Sequence, residues 1–181
     1  MTGSFSRAAA MLGAAAVMLQ PVAAAAQVKP CITEGEVGAL VIFLAPSLIH
    51  AVRERCEGQL AGDGFLAREG DAFAARYAAL RDTAWPEAKT GFVKFADSDT
   101  KREREETQAT ASMPDETLQP MIEAVIAKEA SDEINVRDCA RVERMLAALA
   151  PIEPRVAANV IGVVLGLTGI KDPAICPVEQ A

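Results

Sequence analysis

Histidine, aromatic side chains and closely spaced cysteines are all scarce in this chain. The 181 residues hold one histidine, one tryptophan, one tyrosine and six phenylalanines. A single histidine excludes the HExxH zinc helix and every other site built on several imidazoles. The four cysteines, Cys31, Cys56, Cys139 and Cys176, are separated by 25, 83 and 37 positions. No CxxC pair exists, so neither a zinc ribbon nor a dithiol redox motif is expected. Walker, dinucleotide-binding and nucleophile-elbow patterns are also missing. The expectation is therefore no catalytic residue, no metal and no cofactor.

Strand signals are equally thin. No long run alternates apolar and polar residues, and β-favouring aromatics are few. Alanine, the strongest helix former and a poor strand residue, is abundant. These features predict an all-α fold, a bundle of five to seven helices built from helical hairpins.

The first 26 residues read as a secretory signal peptide. A short segment with one basic residue, Arg7, precedes an apolar run over 8–19, and Gln20-Pro21 then breaks it. The run makes a helix of about 18 Å, against about 30 Å of membrane hydrocarbon. Small residues at Ala24 and Ala26 predict cleavage before Gln27. The remaining 27–181 segment is expected to form a single helical domain. It carries 25 acidic against 17 basic residues, a net charge of −8. That charge disfavours nucleic acid and anionic lipid as partners.

Four cysteines in an exported chain predict two disulfides. Their pairing depends on Pro46. Thr33 and Glu36 make a capping box that starts a helix, and Pro46 interrupts the apolar pattern Val37, Leu40, Val41 and Leu44. If the proline breaks the chain into two antiparallel helices, Cys31 meets Cys56. If it only kinks one helix, those cysteines lie about 35 Å apart and cannot bond. Proline's missing N–H and the bias of Ala45 away from helical angles favour the break. That reading predicts Cys31–Cys56 and Cys139–Cys176. The second bridge would staple a hairpin made by the helix from Asn135 and the helix after Pro154, turned at Pro151. Two further helical faces are expected: Leu66, Phe73, Tyr77 and Leu80, then Leu118, Met121, Ile122, Val125 and Ile126 beginning near Pro120. Residues 87–115 are expected to be irregular and charged, with the stretch 99–115 an exposed loop or a solvated helix.

Four stretches invite a functional reading. Between Arg155 and Lys171 lie fifteen residues without charge. They make a helix of about 22 Å, short for a bilayer. Ala158, Gly162 and Gly166, four apart, would line a close-packing seam, which makes this a buried core helix before a membrane segment or a pocket wall. Trp85, Phe92 and Phe95 gather aromatics that either cap the core or mark a partner or ligand patch. His50 has no implied nucleophile or carboxylate and reads as a surface residue. Asp97 and Asp99 begin like a calcium loop, but Lys101 and Arg102 stand where oxygen ligand and glycine belong. Arg141 and Arg144 have acidic neighbours and read as ordinary surface pairs.

Together, the cysteines, "AWP" at 84–86 and "LAALAP" at 146–151 resemble exported helical proteins of Gram-negative bacteria, a likeness that carries no family name or activity. The expectation is a periplasmic or secreted, non-enzymatic protein that binds an unknown protein or small-molecule partner in the cell envelope. An enzyme with an unrecognised active site is one alternative. A membrane-surface protein using helix 156–170 is another, though membrane association is the weaker expectation.

Overall fold

In the computed structural model, which describes residues 30–96, 100–171 and 173–177, one long helix organises the rest. This helix, α1 (Glu34–Cys56), starts at the capping box read from the sequence. The Glu36 amide donates to Thr33 Oγ1 at 3.2 Å, and the Thr33 amide donates to Glu36 Oε2 at 2.8 Å. Six helices follow: α2 (Phe65–Ala78), α3 (Arg81–Phe95), α4 (Lys101–Ala111), α5 (Asp115–Glu133), α6 (Cys139–Leu149) and α7 (Pro154–Thr168), with a 3-10 turn at Val136–Asp138. The all-α expectation is met. The leader with its cleavage site, and Asp97 and Asp99, lie outside the described residues.

Pro46 does not break the chain; α1 runs through it. The missing N–H at Pro46 leaves the Ile42 carbonyl without its helical partner, at a cost of about 3 kcal/mol. The apolar phase is unchanged across the proline, however. Ile42 and Phe43 before it, and Ile49 and Val52 after it, are all buried in one core. Each such side chain contributes about 1.5–3 kcal/mol when removed from water, so continuity outweighs the lost bond. Helices α2, α3, α5 and α7 all pack on α1. It is the one helix among the described residues long and apolar enough to cross a membrane unaided, and here it is the centre of the bundle.

An unbroken α1 sets Cys31 and Cys56 at opposite ends, which corrects the expected disulfides. The pairs are Cys31–Cys176, with Cα atoms 5.0 Å apart, and Cys56–Cys139, at 5.7 Å. Beside the first, the Cys176 amide donates to the Ile32 carbonyl at 2.9 Å, and the Ile32 amide to the Ala174 carbonyl at 2.8 Å. The tail after α7 is thereby sewn to the segment before α1. The bonds span 145 and 83 positions. In the chain-entropy model such loops are worth about 4.5–5 kcal/mol each.

The hairpin expected of the last two helices is also absent. Cys139 is tied to the C-terminal end of α1, whereas α7 lies along its N-terminal half, so the chain turns by 117° at the proline corner. α6 packs on α2 instead. Arg76 of α2 holds the corner by donating to the Ala150 carbonyl and, at 2.7 Å, to the Ile152 carbonyl. In return Glu143 of α6 accepts from the Leu66 amide at 3.1 Å, capping a free donor in the first turn of α2.

Residues 87–115 are largely helical rather than irregular. Pro86 sits inside α3, and the charged stretch forms α4, whose N-cap Thr100 accepts from the Glu103 amide at 3.3 Å. Strong helix formers (Lys, Arg, Glu) suit a solvated helix that needs no apolar face. α5 begins at Asp115, five residues before Pro120, and buries only Leu118 and Ile122; Met121 and Val125 face out.

Candidate functional site

The last helix is bounded as its sequence dictates. Glu153 is the N-cap, with Oε2 accepting from the Val156 amide at 3.1 Å. Pro154 fills the first helical position, where its missing N–H is harmless. Gly169 ends the helix at φ 64°, a left-handed cap that a side chain would strain.

What α7 turns inward is small. Ala157, Ala158, Gly162 and Gly166 are buried. A Cβ placed on Gly162 would stand 2.5 Å from the carbonyl oxygen of Glu34 and 3.2 Å from its carbonyl carbon. Across the seam, a Cβ on Gly38 of α1 would lie 3.5 Å from the Ala158 oxygen. Backbone therefore meets backbone, and the missing side chains set the distance between the helices.

What α7 turns outward is large. Val156 is 53% exposed, Val160 56%, Val163 39%, Val164 51% and Leu167 71%. At 100° per residue these five occupy a stripe about 100° wide, opposite Ala158. The expectation of a buried core helix thus holds for one side only. Burial of a helix normally hides its bulky apolar residues and leaves small or polar ones in water. Here close approach to α1 selects the glycine side, and the valines are left in solvent.

The aromatic trio does not converge on a surface. Trp85 is buried, with its ring centroid 4.8 Å from that of Phe43. Phe92 is half-buried and Phe95 is 50% exposed. The partner-patch reading fails for Trp85 because α3 turns that position toward α1. Lys89 stands 5.9 Å over the indole and bonds Asp115 at 2.8 Å. The Asp115 carboxyl is held below its ordinary pKa, first by that hydrogen bond and then by the nearby Trp85 indole. The indole Nε1 itself is buried without a partner in hydrogen-bonding geometry.

His50 stands at the rim of an open cleft of about 360 Å³, lined also by Arg53, Glu54, Glu57 and Leu60. Its Nδ1 is 3.9 Å from Asp71 Oδ1, but that oxygen already accepts from Arg53 at 2.5 Å. Among the described residues the hydroxyl hydrogen bonds run to backbone carbonyls or to Glu103, and none runs to His50. Among the described residues, Glu36 is the one buried charged residue. It is occupied by Lys94 at 2.6 and 2.7 Å and by the α1 cap, which makes it a tie between α3 and α1. Arg141 pairs with Asp138 at 3.0 Å on the surface. Among the described residues no group of three acidic, histidine or cysteine side chains is placed to hold a metal, and all four cysteines are in disulfides.

Sequence reasoning found the Ala158–Gly162–Gly166 seam but not the outward stripe, although the signal was present. A fifteen-residue stretch without charge must expose apolar surface if only its glycine side is packed. Compared with known proteins, the chain matches no protein family, no curated protein and no solved structure.

Proposed function

We propose that this is an exported helical protein that works by binding a partner rather than by catalysis, with the outer face of α7 as its binding surface. The observation that carries the reading is the stripe Val156, Val160, Val163, Val164 and Leu167, apolar and in solvent on a helix whose opposite side is packed. Keeping that much apolar surface in water is unfavourable at about 25 cal/mol per Å². A chain that tolerates it gains something when it is covered. The two disulfides support an oxidising compartment, and the leader read from the sequence supplies a route to it. Clefts lined by paired surface charges, such as that beside His50, lend no comparable support to an enzyme.

The test is photo-crosslinking in the producing cell. A photoreactive residue at position 160 or 164 should yield crosslinked species, and one at His50 should not. Absence of any crosslink from both α7 positions would remove the proposal. Fractionation with N-terminal sequencing checks the export half, the expected first residue being Gln27. Flotation with liposomes checks the membrane-surface alternative; an acidic chain with no lysine or arginine along α7 beyond Arg155 should stay unbound.

A further inference from the structure

The ends of α7 identify what covers it. Glu153, the N-cap, and Lys171, three residues past Thr168 and beyond the left-handed cap at Gly169, flank the stripe in sequence, and both are exposed. We propose that the outer face of α7 pairs with the same face of a second copy of this chain, the two helices antiparallel about a two-fold axis at the level of residue 162. The inference rests on the binding-surface reading above and supplies its occupant.

Symmetry makes the charges complementary. In an antiparallel pair the N-terminal end of one helix lies beside the C-terminal end of its mate. Glu153 of each copy then lies at the end of the other that carries Lys171, and the opposed helix dipoles add to the attraction. A parallel pair would place Glu153 beside Glu153. The same register brings Val156 within one position of Leu167 and sets Val160 against Val163 and Val164, so that the bulky residues of each copy meet those of the other.

The rest of the surface argues for the same occupant. The chain carries a net charge of −7, so two copies repel wherever their acidic surfaces meet. The stripe is the place where they do not. A lipid surface would call for cationic and aromatic residues beside the apolar face, and α7 has neither beyond Arg155 at its first turn. The five side chains expose on the order of 450 Å² of apolar surface, within the range at which a patch on a monomer is functional. With the flanking polar rim this approaches the ~800 Å² per partner of a standard interface. An interface no larger than that standard is compatible with a weak, reversible pair, although area by itself does not set affinity.

The experiment is sedimentation equilibrium of the exported, oxidised protein from about 1 to 500 µM, with mass-spectrometric mapping of crosslinks from a photoreactive residue at position 167. The expected result is a monomer–dimer equilibrium, with crosslinks from 167 to residues 153–157 of the second copy. Val164→Asp, at an exposed site, should weaken dimerisation by about 100-fold or more, because it buries an unpaired charge. Its helix content and both disulfides should be unchanged. A monomer at 500 µM overturns the proposal, and so does a dimer indifferent to Val164→Asp or one crosslinked 167 to 167. If the purified protein is monomeric while position 164 crosslinks to a different protein in the cell, the pairing falls and the binding face stands. If both are silent, both fall.

Discussion

The two sides of α7 are made of equally uncharged residues and yet behave oppositely. Toward α1 the helix presents Ala158, Gly162 and Gly166, which bury almost no side chain of their own. Toward water it presents four valines and a leucine. Hydrophobicity alone would turn the helix the other way round. What the inner side gains is proximity: with no Cβ at Gly162, the α7 backbone reaches the Glu34 carbonyl. Dispersion contacts between two backbones then replace the burial of branched side chains. The contrast teaches that in this bundle shape decides what is inside, and that the residues left outside are available for intermolecular contact.

The largest expected effect comes from cutting the chain loose beside the inner seam. Replacing Cys31 and Cys176 by alanine frees the tail that follows α7 and should lower unfolding stability by about 3–5 kcal/mol. Equilibrium urea unfolding reads the total, and hydrogen exchange should show α7 amides losing protection before those of α1. The Cys56–Cys139 bond, at the far end of α1, should cost a similar amount on removal but leave α7 amides protected relative to α6. Uniform loss of protection in both variants would mean that the seam and the disulfide do not act as a local unit.

Next in size is Gly162→Ala. Helix propensity favours it by about 1 kcal/mol. The added carbon, however, would meet a backbone oxygen at 2.5 Å, and a backbone cannot rotate away as a side chain does. Overpacking against backbone falls at the upper end of about 1–3 kcal/mol, so a net loss of up to about 2 kcal/mol is expected by urea unfolding. A stabilised Gly162→Ala protein would show that the two helices have room to spare and that glycine is there for another reason.

The inner face was the legible half of this helix, and the reason is physical. Small residues every four positions have few purposes on a helix, and Pro154 and Gly169 mark its ends chemically. Thr33 and Glu36 were legible for the same reason, because a capping box is a local device. Prolines misled. Pro46 and Pro120 both lie inside helices, since a local penalty of about 3 kcal/mol is outweighed by burial on both sides, which no local window contains. The disulfide pairing was lost with Pro46, because cysteine partners depend on where the ends of α1 fall. The charge of α4 leaves no apolar stripe, so the sequence allows a loop or a solvated helix there and cannot choose between them. The outward stripe of α7 was visible only as an uncharged stretch. When every side of a helix is apolar, periodicity cannot say which side another helix will choose.

On the outer face, the same measurement should register almost nothing. Val164→Asp replaces a half-exposed valine by a charge in water, and surface substitutions of this kind stay within about 0.5 kcal/mol. Unfolding stability at low protein concentration should therefore be unchanged by Val164→Asp while Gly162→Ala is clearly destabilised. Equal losses from the two substitutions would erase the distinction between the faces.

The smallest effect lies where charge replaces apolar surface altogether, in the cleft beside His50. Asp71 is held below its ordinary pKa of 3.8, first by the hydrogen bond from Arg53, then by the charge of Arg53 and, least, by that of His50. Because the folded-state pKa is depressed, the pair contributes only above the unfolded value and is lost as pH falls through the folded one. The window is confined to pH below about 4. An NMR titration should place the Asp71 midpoint under 3.8, and Arg53→Ala should return it toward that value. Solvent screens so exposed a pair, so the unfolding midpoint at neutral pH should barely move. A midpoint that stays depressed without Arg53 would point to His50 as the dominant partner. That would give the imidazole a dedicated carboxylate and reopen the catalytic reading that the paired Asp71 now weakens.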